Sequence, residues 1–171
     1  VFACDPNSAA EVIYSVKRNS TSSLPIFAKL SPDVTDISQI AKVVVNAGAD
    51  GLSVINTLLG MVIDTKTLKP KLSGKTGGLS GPAIRPVAIR CVYQIRQALP
   101  KIPIIGMGGI RNGNDALEFF AAGANAISVG TMVFNDPEAC VRIHDEVSEL
   151  LHEKSFRSIK DVVNAAHKEE I

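Results

Sequence analysis

Short apolar runs are spaced along the chain, and after each one apolar residues recur at helical intervals. Apolar runs bounded by glycine or proline are typical of strands that are buried on both faces of a parallel sheet. Strands that alternate with helices indicate βα units, because parallel neighbours need a crossover connection. The predicted strands are Ile26–Lys29, Gly51–Ile55, Ile102–Ile105 and Ala126–Val129.

The helical segments have recognisable first and last residues. Asp5-Pro6 supplies a cap and a first-turn proline for a helix that runs to about Arg18. Asn114 is the predicted cap of a helix that ends at Gly123. Residues 58–82 are predicted to form a long loop, which in a compact domain is usually functional or disordered. The other predicted helices are residues 36–46 after a cap at Thr35 or Asp36, Pro86–Leu99, Pro137–Leu151, and a terminal helix whose capping box is Ser158-x-x-Asp161.

The sequence repeats itself where a helix leads into a strand. Ala47–Val54 (AGADGLSV) and Ala122–Val129 (AGANAISV) share this pattern, and a Pro-Ile pair opens the strand before each copy. Repeated βα units build a parallel sheet whose strand carboxyl ends form the ligand face. A complete (β/α)8 barrel needs about 250 residues, whereas this chain has 171. We therefore expect an α/β fold that covers roughly the carboxyl-terminal four βα units of a TIM barrel, as a single domain over residues 1–171 with no second domain.

Composition narrows the functional classes. The chain is 46% hydrophobic and 20% charged, with a net charge of +1, as in ordinary globular proteins. Basic residues are spread among acids, so we expect no nucleic-acid partner, and no apolar run is long enough to cross a membrane. Cys4, Cys91 and Cys140 are unevenly spaced, which argues against disulfides or a zinc site and favours the cytoplasm. No metal site is predicted.

Small residues follow the last two predicted strands. Gly108 and Gly109 come after one strand, and Gly130-Thr131 ends the next. Bare backbone N–H groups on one side of a sheet can hold a phosphate, because only glycine lets the backbone approach an oxyanion closely. In (β/α)8 barrels the phosphate site usually lies after strands seven and eight. The alternative interpretation is that the glycines only form two ordinary βα turns and bind no ligand.

Polar side chains follow the first two predicted strands. Lys29 ends an apolar strand, where a buried charge would need a partner such as a bound anion or a flavin that becomes anionic on reduction. The alternative interpretation is a surface lysine at the end of a strand. Asn56 and Thr57 can form hydrogen bonds with the carbonyl and N–H groups of a planar ligand, or can cap the next turn. Gly81 lies in a glycine-rich segment whose backbone can pass over a flat ligand. His144, His152 and His167 are predicted to be surface or packing residues.

Four motifs, in order and in spacing, resemble dihydroorotate dehydrogenase. Their segments are Lys29–Pro32 (KLSP), Ile55–Met61 (INTLLGM), Gly77–Ile84 (GGLSGPAI) and the run from Gly106 to Thr131. The second and third are similar to the NAD-linked class, whose catalytic subunit works with an iron–sulfur flavoprotein. The resemblance covers nearly the whole chain but corresponds to the carboxyl part of that subunit. It therefore implies an oxidoreductase of pyrimidine biosynthesis that converts dihydroorotate to orotate, located in the cytoplasm.

The resemblance implies a role for each matching residue. Asn56 and Thr57 would bind the pyrimidine of dihydroorotate or orotate, and Lys29 would lie beside the FMN ring. Hydride would pass from the substrate to FMN, then through the partner's 2Fe-2S cluster and FAD to NAD. The catalytic subunits would form a homodimer at the core of a heterotetramer. The residues expected to contact FMN are Lys29, Ile55, Gly81, Gly108, Gly109, Gly130 and Thr131.

The general base of the NAD-linked class is a cysteine in a Cys-Pro-Asn context, which the resemblance places upstream of residue 1. Cys4 stands in a different context, at the start of the first helix, and is not assigned as the base. No catalytic residue is therefore predicted in this chain, and the 171 residues alone are expected to be inactive. Two alternatives remain: another phosphate-binding TIM-barrel enzyme, and a half-barrel that binds a ligand or a partner without catalysis.

Overall fold

The computed structural model describes residues 2–20 and 23–168. Its helices are α1 (Pro6–Asn19), α2 (Ile37–Asn46), α3 (Arg85–Ala98), α4 (Gly113–Ala121), α5 (Ala139–Glu153) and α6 (Ile159–Val162). Its strands are β1 (Phe27–Leu30), β2 (Gly51–Val54), β3 (Leu58–Met61), β4 (Ile63–Asp64), β5 (Lys69–Pro70), β6 (Thr76–Leu79), β7 (Ile104–Met107) and β8 (Ala126–Ser128). Short 3-10 helices cover Phe2–Cys4, Pro82–Ile84, Thr131–Phe134 and Ala165–His167.

The four predicted strands form one parallel sheet in the order β1-β2-β7-β8. Alternate residues of these strands share a face, and one face is buried: Leu30, Val54 and Gly106 lie side by side in the register. Helix α4 packs closely on this face, since a Cβ on Gly106 would stand 2.6 Å from the Phe119 ring. The predicted sheet with helices on one side is therefore confirmed.

Side-chain caps set the helix starts. Asp5 accepts a hydrogen bond from the Ser8 backbone N–H (2.7 Å), and Asp36 accepts one from Ser38 (2.8 Å), so Asp36 rather than Thr35 is the cap of α2. The capping box of Ser158 and Asp161 is also present. The helices that these caps start bury apolar stripes against the sheet. On α2 the stripe is Ile37, Ile40, Ala41 and Val44.

The predicted long loop at residues 58–82 is wrong in its architecture. Strands β3 and β6 pair antiparallel, and β4 and β5 pair beyond them, so the segment is a two-part ribbon that stands off the sheet. The sequence pattern concealed it, because β3 reads LLGM and β6 reads TGGL, and neither shows the apolar alternation of a half-buried strand. Exposed apolar side chains of the ribbon include Leu59, Met61 and Leu68.

Other corrections are smaller. The cap of α4 is Asn112, not Asn114, because the Asn112 side chain accepts the Asp115 backbone N–H (2.9 Å). Strand β7 begins at Ile104, two residues after its predicted start, because proline at 103 has no N–H to donate to a ladder. The helix predicted from Pro137 begins at Ala139.

Each copy of the internal repeat contains a device that we call the turn clasp. In the first copy, Asp50 Oδ2 accepts a hydrogen bond from the Ile26 backbone N–H (2.8 Å) and pairs with Lys17 Nζ (2.9 Å). The backbone N–H of Asp50 returns a bond to Ile26 O (2.8 Å). The clasp thus joins the turn before β2 to the start of β1 and to α1.

The second turn clasp has the same plan. Asn125 Oδ1 accepts from the Ile104 backbone N–H (2.9 Å) and from Arg96 Nη2 (2.8 Å), and Asn125 N donates to Ile104 O (2.8 Å). The glycine that ends the preceding helix has positive φ in both copies: 112° at Gly48 and 115° at Gly123. This agreement confirms the repeat and the predicted glycine stop at Gly123, and it shows that Gly48 ends α2 in the same way.

Candidate active site

The carboxyl ends of the parallel strands surround a cavity of about 180 Å³. All nine residues that the sequence singled out for ligand contacts lie in its wall, although they come from five separate segments of the chain. The lining comprises Lys29, Ile55, Asn56, Thr57, Ser80, Gly81, Ile84, Met107, Gly108, Gly109, Ser128, Gly130 and Thr131. The predicted convergence of Lys29 and Thr131 at one end of the sheet is confirmed.

One side of the cavity presents polar side chains. Lys29 belongs to β1 and is exposed, whereas Asn56 and Thr57 follow β2. The backbone just past β2 stays fastened to both neighbouring strands, because Ile55 N donates to Met107 O (3.1 Å) and Asn56 N donates to Leu30 O (2.8 Å). The peptide bond between Val54 and Ile55 is cis. The two hydrogen bonds of Ile55 and Asn56 hold in place the backbone from which the Asn56 and Thr57 side chains extend.

The opposite side consists largely of backbone. Gly108 and Gly109 have φ values of 130° and 75°, a region that favours glycine. A Cβ on Gly109 would stand 2.7 Å from the carbonyl oxygen of Gly81, so the loop after β7 lies directly against the segment before α3. A Cβ on Gly130 would meet nothing within 4 Å, so the backbone there borders open space.

The β3–β6 ribbon packs against the side-chain half of the cavity. A Cβ on Gly78 would overlap the Thr57 side chain, so the glycine makes room for Thr57 beneath the ribbon. The base of the ribbon is also tied to the loop after β1, since the Leu59 backbone N–H donates to Asp33 Oδ1 (3.0 Å). In turn, Asp33 N donates to the Ser31 hydroxyl (3.2 Å).

Sequence reasoning missed four residues of the cavity wall: Ser80, Ile84, Met107 and Ser128. For two of them the sequence did contain a signal, the alternation of a strand. Met107 and Ser128 pair in the register at the last positions of β7 and β8, and the period-2 alternation of a strand places them on the face opposite Gly106. Ser80 and Ile84 had none, because their position depends on how the ribbon folds back.

Behind the backbone half of the cavity lies an ionic cluster around the buried Asp115. Burial raises the pKa of this carboxyl, but hydrogen bonds from Arg111 and Arg85 outweigh that effect and hold the pKa below its usual value. Arg85 also pairs with Glu118, at 3.3 Å. Asp115 therefore stays ionised at neutral pH.

The cysteines and histidines lie elsewhere. Cys4 borders a different cavity, beside Pro6 and Asp33, and burial raises the pKa of the Cys91 thiol. His167 stacks on Tyr93 with ring centroids 4.0 Å apart, and its Nε2 lies 3.0 Å from Ala122 O. His167 therefore has a packing role. His144 and His152 are exposed on α5, outside the cavity.

Comparison with known proteins identifies the family. The family model described as dihydroorotate dehydrogenase matches residues 2–151. This chain belongs to the dihydroorotate dehydrogenase family. Two similar relatives are named dihydroorotate dehydrogenase B (NAD(+)), catalytic subunit. The one from Halalkalibacterium halodurans is 52% identical over 168 residues, which are 98% of this chain and 54% of the relative. The one from Desulforamulus reducens is 55% identical over 166 residues, which are 97% of this chain and 54% of the relative.

A solved dihydroorotate dehydrogenase structure has a similar fold. The crystal structure of DHODH from Eimeria tenella, in complex with ferulenol, superposes with a TM-score of 0.80 at 25% sequence identity. The superposition covers 96% of this chain and 50% of that chain. The chain thus spans about half the length of the dihydroorotate dehydrogenases that it matches, in agreement with the predicted partial TIM barrel.

Two features are absent from the described residues. Within residues 2–20 and 23–168, no helix is long and apolar enough to cross a membrane. In the same part of the chain, no three His, Cys, Asp or Glu side chains are grouped as a metal site.

Proposed function

We propose that this chain forms the carboxyl-terminal part of an FMN-dependent dihydroorotate dehydrogenase of the NAD-linked class, which oxidises dihydroorotate to orotate. The observation that carries the proposal is the cavity, whose wall contains all nine residues that the family motifs assign to FMN and pyrimidine. The names of the relatives point to the same NAD-linked class.

The residues present suit one end of a flavin. Glycine backbone on one side and an exposed lysine on the other offer N–H donors and a cation, the groups that a phosphate and an electron-rich ring need. The volume of about 180 Å³ falls short of the roughly 300 to 1,000 Å³ of a site that buries a whole ligand of this size. This chain therefore supplies part of the wall, as its half-length match to the relatives requires.

Within that wall, each group has a distinct task. Backbone N–H groups of Gly108, Gly109 and Gly130 and the Thr131 hydroxyl bind the phosphate. Lys29 would place a positive charge beside the ring, and the backbone of Ile55 and Gly81 would contact the flavin. FMN, when bound, supplies a hydride acceptor.

Asn56 and Thr57 bind the pyrimidine. An amide presents both a donor and an acceptor and so can pair with the adjacent N–H and C=O groups of a pyrimidine, and a hydroxyl can do either. The fastened backbone at Ile55 and Asn56 holds both groups in place before the substrate arrives.

The remaining parts of the reaction belong outside this chain. The base that removes the C5 proton of dihydroorotate is a cysteine that these residues do not supply, since Cys4 borders a different cavity. A partner subunit that carries a 2Fe-2S cluster and FAD would supply the path by which electrons reach NAD. Two catalytic subunits form the core of the assembly, in the cytoplasm.

Replacement of Asn56 by Ala in a full-length chain that carries these residues tests the pyrimidine assignment. Loss of an amide that pairs with the ligand should weaken orotate binding by about 1 to 3 kcal/mol, while FMN is retained. The measurements are orotate titration and the flavin content of the purified protein. Asn114→Ala, at an exposed position on α4, is the control. A variant that binds orotate normally but loses flavin would show that Asn56 serves the cofactor instead.

A second test uses the 171 residues alone with added FMN. Because base catalysis contributes about 100- to 10,000-fold, dihydroorotate should bleach the flavin absorbance negligibly under anaerobic conditions. Addition of the amino-terminal half of the chain as a separate polypeptide should restore bleaching. Rapid bleaching by the isolated chain would mean that its own residues supply the base.

A further inference from the structure

Asp115 is one of the few buried charged residues, with 3% of its surface exposed. Arg111 donates to Asp115 Oδ2 twice, from its backbone N–H at 3.0 Å and from Nε at 2.9 Å, and from Nη2 to Oδ1 at 3.3 Å. Arg85 Nη1 donates to Oδ1 as well. A carboxylate with this many charge-assisted bonds holds its partners in fixed positions.

The two arginines belong to the two backbone segments that meet at the cavity. Arg85 begins α3, just after the 3-10 helix that follows Gly81, while Arg111 comes two residues after Gly109. The contact between these segments is tight, since a Cβ on Gly109 would also stand 3.0 Å from Arg85 Cβ. Asp115 therefore clamps together the pieces of backbone that set the width of this side of the cavity.

The clamp adds no net charge to the site. Two arginines, Arg85 and Arg111, face two carboxylates, and Arg85 is engaged by both Asp115 and Glu118. Arg85 is thus committed to carboxylates and does not line the cavity. Without a net charge, the cluster acts on an anion in the cavity chiefly through the geometry of the loop.

We propose that Asp115 is a positioning residue for the phosphate end of the flavin. By binding Arg111 and Arg85 at once, it holds the Gly108–Gly109 backbone against Gly81, so that the N–H groups of the loop stay aimed into the cavity. This inference rests on the proposed function. Its distinctive consequence is that Asp115 affects a ligand with a phosphate more than the same ligand without one.

FMN and riboflavin, which differ by the phosphate, provide the test. In a full-length chain stripped of flavin, Asp115→Asn should raise the Kd for FMN about 10-fold or more, because a small displacement of positioned groups is costly. The Kd for riboflavin should rise much less, because riboflavin lacks the phosphate that the loop binds. Both constants are measured by flavin fluorescence titration. Glu118→Gln is the matched control: it removes the more exposed carboxylate partner of Arg85 and should leave both constants as in the wild type.

Each outcome decides the proposal. An unchanged FMN constant, or an equal loss of affinity for both flavins, would overturn it, the second result indicating a role in stability alone. If Asp115→Asn fails to fold, Arg111→Gln takes its place, because Arg111 is exposed and the Arg85–Asp115 pair remains. The Kd for FMN should then rise by a smaller factor, and the Kd for riboflavin should rise less than that. An unchanged Kd for FMN would overturn the proposal. A wild-type chain that binds neither flavin overturns the proposed function itself.

Discussion

The two turn clasps follow one plan in two environments. In each, a cation from the helix before the preceding strand (α1 or α3) reaches an Asp or Asn that also accepts a hydrogen bond from a backbone N–H at the start of that strand. Lys17 and Asp50 are both well exposed, with 45% and 41% of their side chains accessible. Arg96 is buried, at 5%. The comparison shows that burial determines which cation the turn clasp uses and which groups that cation binds.

Burial changes the partners of the cation. Exposed Lys17 pairs with a full negative charge, whereas buried Arg96 binds neutral oxygens. Its Nε and Nη2 donate to Gly123 O (3.0 and 2.8 Å), and its Nη1 donates to Pro100 O (2.7 Å). Burial lowers the pKa of Arg96, and the planar fork of donors offsets that cost by satisfying several carbonyls at once. A lysine could not reach as many acceptors.

The largest effect is expected at Arg96. Arg96→Met keeps the length of the side chain but leaves the buried Gly123 carbonyl without its donor, so the free energy of unfolding should fall by about 3 kcal/mol. The equivalent Lys17→Met should stay within experimental error, because exposed pairs contribute little. Urea unfolding of full-length chains provides the measurement. Equal losses at the two sites would remove burial as the explanation.

The glycines provide a second, smaller contrast. Alanine at Gly48 or Gly123 should cost about 1 kcal/mol for the positive φ that both share. At Gly123 the new Cβ would also stand 2.6 Å from Arg96 Cγ and 2.9 Å from Asn164 Oδ1, whereas at Gly48 its nearest neighbour is the flexible Lys17 at 3.1 Å. Gly123→Ala should therefore melt at a lower temperature than Gly48→Ala. The reverse order would show that Arg96 moves aside freely.

The smallest effect is one of pH. Hydrogen bonds from Lys17 and from the Ile26 N–H lower the pKa of Asp50. The stabilisation from this carboxylate is thus present above its unfolded pKa of about 4 and lost as the pH falls through the lower folded value. Asp50→Asn gives the first clasp the residue of the second and should flatten this part of the acid limb. Melting temperatures across acidic pH, compared with the wild type, check it; parallel curves would contradict it.

The sequence allowed the sheet and eight of the nine cavity residues to be predicted from strand ends and glycines, which are local signals. The ninth, Ile55, was assigned only through the resemblance of its motif to the family. The ribbon escaped prediction, since strand pairing between Leu58 and Leu79 leaves little apolar alternation in an exposed segment. Arg96 was not singled out either. It lies on α3 like any helical arginine, and only the tertiary structure brings the Gly123 carbonyl to it.

The turn clasps also have a direction. Asp50 binds Lys17 and Ile26, and Asn125 binds Arg96 and Ile104, so every partner precedes the residue that captures it. During synthesis on the ribosome, a clasp can therefore close as soon as its Asp or Asn has emerged, without waiting for any later residue. Because the amino-terminal side of a chain is free to fold first, each βα unit can be fastened to the units already made while the next is still being translated.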